Sequence, residues 1–221
     1  TEKLDLTVGA REEAVNVVVS VADQGVGIPR DELGSVFDKY FRARSHKDSK
    51  LEGLGLGLAI VKNIIEQLFA VYEQRMDAAL SAPSGRLPGL EDVWLQLHLV
   101  FECIWDYRFL YRNLDDILSR NRRLRLRFAR ILKRADEQAH QVMRGLVQAG
   151  IMRASADEVD AASTNILVIA TFWMNYAAAR GDKDERASIR DGIVQVMMLI
   201  APFLRDAERL HLNTLTRAYL D

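Results

Sequence analysis

Two stretches of this chain carry residues whose types and spacing suit nucleotide chemistry. In Asp23–Pro29, DQGVGIP, Gly25 and Gly27 stand two residues apart. That spacing lets the backbone pass close to a flat ligand or adopt a positive φ. Asp23 ends a β-branched run, and its carboxylate can accept a hydrogen bond from an adenine amino group. In Glu52–Lys62, EGLGLGLAIVK, the glycines Gly53, Gly55 and Gly57 lead into an apolar helical pattern. Free N–H groups and the helix dipole favour phosphate at such a start. Either motif alone often serves only a tight turn. Their order, with VFDKYFR between them, is more specific than either.

Two further constellations lie downstream. Trp94, His98, Phe101 and Trp105 recur at helical spacing, so they share one face. Such a face suits a small-molecule pocket between helices, with His98 as its polar anchor, and it equally suits a plain aromatic core. The run Arg120–Arg134, RNRRLRLRFARILKR, is rich in basic residues that can meet nucleic-acid phosphates. Leu124, Phe128, Ile131 and Leu132 form an apolar stripe through it, and Asp115, Asp116, Asp136 and Glu137 flank it. A solvated helix face over a buried stripe is the favoured reading.

The elements that position these residues follow from periodicity. Leu4, Leu6 and Val8 alternate with polar residues, AREEA reads as a turn and VNVVVSV as a second strand, so a hairpin is predicted. Pro29, Asp31 and Glu32 mark the start of a short helix. From Leu58 the pattern is helical to the end. Helices are predicted from Leu58 to about Leu80, Glu91 to about Tyr107, Asn113 to Ser119, Asn121 to Ala149, Ser155 to Arg180 and Lys183 to Leu220. Gly150 is a stop, and Pro202 should kink or split the last helix. The fold class is therefore mainly α, with a small α+β fragment over residues 1–63 joined by a continuous helix to an all-α domain over 64–221.

Composition narrows the function classes. A net charge of -1 with 28% charged residues gives no global field for nucleic acid or membrane. Cys103 is the single cysteine, so no intramolecular disulfide can form, and a reducing cytoplasm is the expected location. Ala161–Ala179 carries no charge, near the ~18 residues a spanning helix needs. Its Ser163, Thr164, Asn165, Thr171 and Asn175 instead fit a helix buried in a core or subunit contact.

DQGVGIP, FDKYFR and GLGLGLAIVK together resemble the first glycine box, phenylalanine box and second glycine box of the GHKL ATPases, within them the sensor histidine kinases. The resemblance covers roughly residues 1–66. It implies that Asp23 binds adenine, that Gly25 and Gly27 shape the pocket, and that Gly53, Gly55 and Gly57 lie by the phosphates. Residues 42–52 would form the ATP lid. The family's asparagine-bearing, magnesium-binding helix has no counterpart ahead of the first strand, and its closing strands are replaced by the helical NIIEQLFAVYEQRMDAAL. The expectation is weak ATP binding, doubtful magnesium binding and no kinase chemistry.

The rest resembles the ligand-binding and dimerisation domain of TetR/AcrR-type transcriptional regulators. NIIEQLFAVYEQRMDAAL looks like the long helix after their DNA-binding head, and Leu90–Leu132 like their central helices. The resemblance implies a homodimer through the last two helices and a small apolar effector. Kinase-like sequence occupies the place of the helix-turn-helix, so no specific DNA binding is expected. The whole reads as a chimera of a partial ATP site and a regulator's sensing domain.

Overall fold

In the computed structural model the described residues are 6–13, 16–23, 27–43, 54, 56–81, 86–181 and 184–220. The chain divides into two compact units, Thr1–Phe69 and Ala70–Asp221. The boundary expected at 63/64 lies a few residues earlier.

In the first unit β1 (Leu6–Glu13) and β2 (Asn16–Asp23) pair antiparallel, with Leu6 opposite Asp23 and Glu13 opposite Asn16. β1 continues through Arg11–Glu13, residues that the sequence reading assigns to the turn. Beyond Pro29 the backbone differs from the predicted short helix. Glu32 N donates to Pro29 O, Ser35 N to Glu32 O, Asp38 N to Ser35 O and Phe41 N to Asp38 O. These are successive tight turns, each closed after three residues, with no helical ladder between them. Gly34 in the middle lowers helix propensity, and Tyr40 adopts φ 64 where the run ends.

α1 (Gly57–Leu80) begins in the first unit and ends in the second. In the second unit Tyr72, Met76 and Ala79 are its buried positions, spaced for one helical face. α2 (Leu90–Asp106) follows, with Glu91 and Asp92 in its first turn, where acids suit the dipole. Gly89 N donates to Asp92 Oδ2 at 2.8 Å. Two short helices, α3 (Arg108–Arg112) and α4 (Leu114–Arg120), lead to α5 (Arg122–Gln148). Asn121 caps α5 by accepting from Leu124 N, and Gly150 takes φ 74 just past its end.

Ser155 and Glu158 form a reciprocal capping box on α6 (Ala156–Arg180), which Gly181 closes in the left-handed region at φ 79. Asp184 caps α7 (Glu185–Ile200) by accepting from the backbone N–H groups of Arg186 and Ala187. Pro202 lies in a 3₁₀ turn, Ala201–Phe203, that separates α7 from α8 (Asp206–Leu220). The predicted final helix is thus split at the proline, which cannot supply the N–H that would continue the ladder.

A core cluster joins Leu90 of α2, Leu146 of α5, Val159 of α6, Met197 of α7 and Leu212 of α8. Met152 and Leu204 bridge antiparallel between the α5–α6 and α7–α8 connections, with Arg153 N donating to Phe203 O at 2.7 Å. Among the described residues no helix is long and apolar enough to cross a membrane.

The basic run lies on α5. Leu124, Phe128 and Ile131 are buried. Arg127 Nη2 meets Glu73 Oε2 at 2.7 Å, and Arg134 Nη2 meets Asp77 Oδ1 at 2.7 Å. These arginines hold α5 to α1, and their partners come from α1 rather than from the acids that flank the run.

Candidate functional site

Within the helical unit, α1, α2, α5, α6 and α7 line a cavity of about 110 Å³. The volume is of the order of the engineered ~150 Å³ apolar cavity that stays dry and takes up benzene. A single ring or a short chain therefore sets the size of guest that fits without repacking.

Each wall follows from a helical face. Met76 and Leu80 project from α1, and Val93, Gln96, Leu97, Val100 and Ile104 from α2. The long inner face of α5 contributes Phe128 through Leu146, with Ala135 and Ala139 as its small members. Ile166 and Ala170 come from α6, and Val196, Met197 and Ile200 from α7. Small residues at Ala135, Ala139 and Ala170 keep the helices from filling the space between them.

Few polar groups reach this wall: Gln96, Tyr111, Gln138 and Thr171. Gln96 Nε2 donates to Leu80 O at 2.9 Å and so ties α2 to the end of α1. The hydroxyls of Tyr111 and Tyr72 share a hydrogen bond of 2.6 Å. Gln138 Nε2 is buried and has no hydrogen-bond partner among the described residues.

Of the four residues expected to line a pocket, His98 and Trp105 line a cavity other than the apolar one, and Trp94 and Phe101 line neither. Phe101 is fully buried, and its ring edge lies where a Cβ on Gly192 would meet it at 2.6 Å. Trp94 and His98 stack edge-on against Tyr219, with centroid separations of 5.1 and 4.8 Å. His98 Nδ1 pairs with Trp94 O at 2.8 Å, so this nitrogen carries the proton. Trp105 lies under the Arg108 guanidinium, 4.5 Å from its carbon. His98 and Trp105 line a second, more polar cavity of about 350 Å³ with Glu102, Arg186 and Arg190. None of the four lines the apolar cavity. The helical period is as read, but the cavity face begins one position earlier, at Val93, and is aliphatic.

Sequence reasoning also passed over Gln138. The signal was present: an amide among Ala135, Ala139, Val142 and Met143 on the inner face of α5.

Beside the cavity, burial shifts three acids the same way. It raises the Cys103 thiol from its ordinary 9.0 to about 11. It likewise raises Tyr72, whose neighbour Tyr111 adds to the effect, and raises Tyr111 above 10.0. In each case the folded state holds its proton to higher pH than the unfolded chain. Stability is therefore unchanged by these groups below about pH 9 and falls as pH rises, first through the range 9 to 11 as unfolded Cys103 ionises. The tyrosines extend the loss beyond pH 10. Urea melts at pH 8, 9.5 and 10.5 should show this decline, and Cys103→Ala should flatten its first part.

In the first unit Gly27 adopts φ 70, with nothing within 4 Å of where a Cβ would stand. Gly57 is the exposed first residue of α1, whose first turn carries no acid, so that N-terminus suits a phosphate. The backbone of Asp23 ends β2 opposite Leu6. Gly25, Gly53 and Gly55 lie outside the described residues, as does the side chain of Asp23 and all but the first two residues of the expected lid. Among the described residues no group of three or more His, Cys, Asp or Glu could hold a metal ion.

A helical unit of this order, with an apolar cavity walled by a long leading helix and the helices behind it, defines a ligand-binding regulator domain. Residues 71–212 match the family described as TetR, bacterial transcriptional repressor, and the chain belongs to that family. A crystal structure of a TetR-family transcriptional regulator from Marinobacter aquaeolei VT8 superposes with a TM-score of 0.65 at 29% identity. It covers 72% of this chain and 77% of its own. Residues 1–99 match the histidine kinase-, DNA gyrase B- and HSP90-like ATPase family.

The N-terminal part is similar to the sensor histidine kinase WalK of Bacillus subtilis, 38% identical over 60 residues, 27% of this chain and 10% of that protein. It is also similar to the sensor histidine kinase ZraS of Escherichia coli K12, 45% identical over 62 residues, 28% of this chain and 12% of that protein. This chain thus spans only about a tenth of the kinases it matches. It is a chimera, carrying kinase-like sequence ahead of a TetR-type sensing domain.

Proposed function

We propose that the helical unit takes up a small apolar effector in the cavity between α1, α2, α5, α6 and α7. The observation that carries this reading is an almost wholly apolar interior cavity in a TetR-family domain. Its long leading helix contributes Met76 and Leu80 to the wall, so occupancy acts on the element that in a regulator leads to the DNA-binding head. Isothermal titration with toluene tests the cavity. Ala139→Leu fills space on the α5 wall and should weaken uptake about tenfold or more. Absence of saturable toluene binding to the unsubstituted chain would overturn the reading.

Two copies pair, in this proposal, through α6 and the helices after it. Val168, Phe172 and Tyr176 are exposed on one uncharged stripe of α6 together with Ala161, Thr164, Asn165 and Asn175. Exposed apolar residues in a row of this kind suit a two-fold helical interface. Light scattering should give a dimer, and Phe172→Glu should convert it to monomer. A clean monomer for the unsubstituted chain would sink this part. In this proposal the domain works in the cytoplasm, and no operator recognition is expected of it, because kinase-like sequence stands where a regulator of this family carries its helix-turn-helix.

A second reading concerns the first unit. Its match to the ATPase family, the left-handed Gly27 and the open helix start at Gly57 support weak ATP binding. Saturable ATP binding lost in Asp23→Asn would bear this out. No binding at millimolar ATP would remove it.

A further inference from the structure

The chemistry of the cavity wall narrows the effector class beyond apolar and small. Gln138 projects from the middle of α5 into a mostly apolar lining, and among the described residues its buried Nε2 has no hydrogen-bond partner. A buried amide donor without an acceptor is destabilising until something accepts from it, so in a cavity wall it marks where a guest's acceptor atom would be favoured. Among the described residues no protein group supplies that contact. Gln96 has turned its own amide nitrogen to the carbonyl of Leu80, and the Tyr111 hydroxyl is engaged with Tyr72.

Charge decides what kind of acceptor fits. Among the described residues no lysine, arginine or histidine lines the cavity, so a carboxylate or phosphate would enter unpaired. The desolvation cost of a buried unpaired ion far exceeds one hydrogen bond. A neutral acceptor loses much less hydration and recovers it from Gln138. An alcohol brings a donor of its own, which has to reach the Thr171 hydroxyl or a wall amide oxygen at the same time. A carbonyl brings none.

We propose that the effector is a small, neutral, mainly apolar molecule bearing a carbonyl oxygen, such as a ketone, aldehyde or ester, and that Gln138 Nε2 donates to that oxygen. The proposal rests on the cavity being the effector site. Gln138 is then the specificity-determining residue of the wall, and the aliphatic residues around it select only for size.

The test pairs two near-isosteric probes, acetophenone and isopropylbenzene, against the unsubstituted chain and Gln138→Met. Methionine keeps the side-chain length and removes the donor. The variant should fold with equal or greater thermal stability, since it deletes an unpartnered buried polar group. Titration calorimetry should show acetophenone weakened about tenfold by the substitution, the worth of one buried hydrogen bond. Isopropylbenzene should bind both proteins alike, or the variant more tightly. If the substitution leaves acetophenone unchanged, or weakens both probes equally, the Gln138 assignment is overturned while the cavity reading stands. If neither probe binds either protein, the cavity reading falls and this inference falls with it.

Discussion

Phe101→Ala is expected to cost the helical unit about 3–5 kcal/mol, the range for deleting a fully buried aromatic ring. Phe101 has no exposed surface. It sits where α2 meets α7, against Gly192 and beside Trp173 of α6. Removing the ring leaves a hole at a three-helix junction, and helices fixed on both sides cannot close it fully. Urea unfolding should show a lower midpoint with an unchanged slope, which separates lost stability from a changed unfolded state. Trp105 offers the contrast. It lies at the half-buried end of the same face, and Trp105→Ala should cost much less.

Gly192→Ala is expected to destabilise by about 1–3 kcal/mol or more through overpacking, although it adds one methyl group and improves helix propensity. That methyl carbon would stand 2.6 Å from Phe101 Cε1 and 2.7 Å from Trp173 Cδ1. Neither ring can retreat freely. Phe101 is enclosed, and Trp173 Nε1 donates to Ser188 O at 2.6 Å, a bond that a shifted indole would lose. The clash makes the two sites energetically coupled. Adding Phe101→Leu to Gly192→Ala should recover part of the loss, so the double variant should be more stable than the two single effects predict when summed. Strict additivity in the urea midpoints would contradict the close packing.

Much of this architecture was legible because helix ends carry local chemistry. Ser155 with Glu158, Asn121 before α5, Gly150 after it and Pro202 within the last helix each act on backbone groups a few residues away. Their effect needs no knowledge of the tertiary fold. The glycine motifs were legible for a similar reason, since a left-handed residue such as Gly27 is a local demand.

Other features depend on what lies across the core. The turns after Pro29 and the small helix at Arg108–Arg112 are too short for periodicity to separate from their surroundings. On α2 two faces carry apolar residues at the same spacing, and only the positions of α5 and α7 decide which one meets the cavity. Gln138 is harder still. A glutamine in a long helix is ordinary at the surface, and its significance appears only when its amide is found without a partner. The acids that hold the basic run show the same limit. Glu73 and Asp77 lie far from it in the chain and on another helix.

The Phe101–Gly192 contact also bears on the order in which the unit assembles. α5 packs on α6, and α6 on α7, as neighbours in the chain, joined by short connections with strong stop and start residues. Such pairs close small loops and form early in time. The contact of α2 with α7 spans most of the unit and carries the larger loop-closure entropy. A ring that locks this seam after the other helices have docked should act chiefly on the rate of escape from the native state. Substitutions at Phe101 and Gly192 would then steepen spontaneous opening while leaving the speed of refolding nearly untouched. The seam would then set how long the unit stays folded more than how fast it folds.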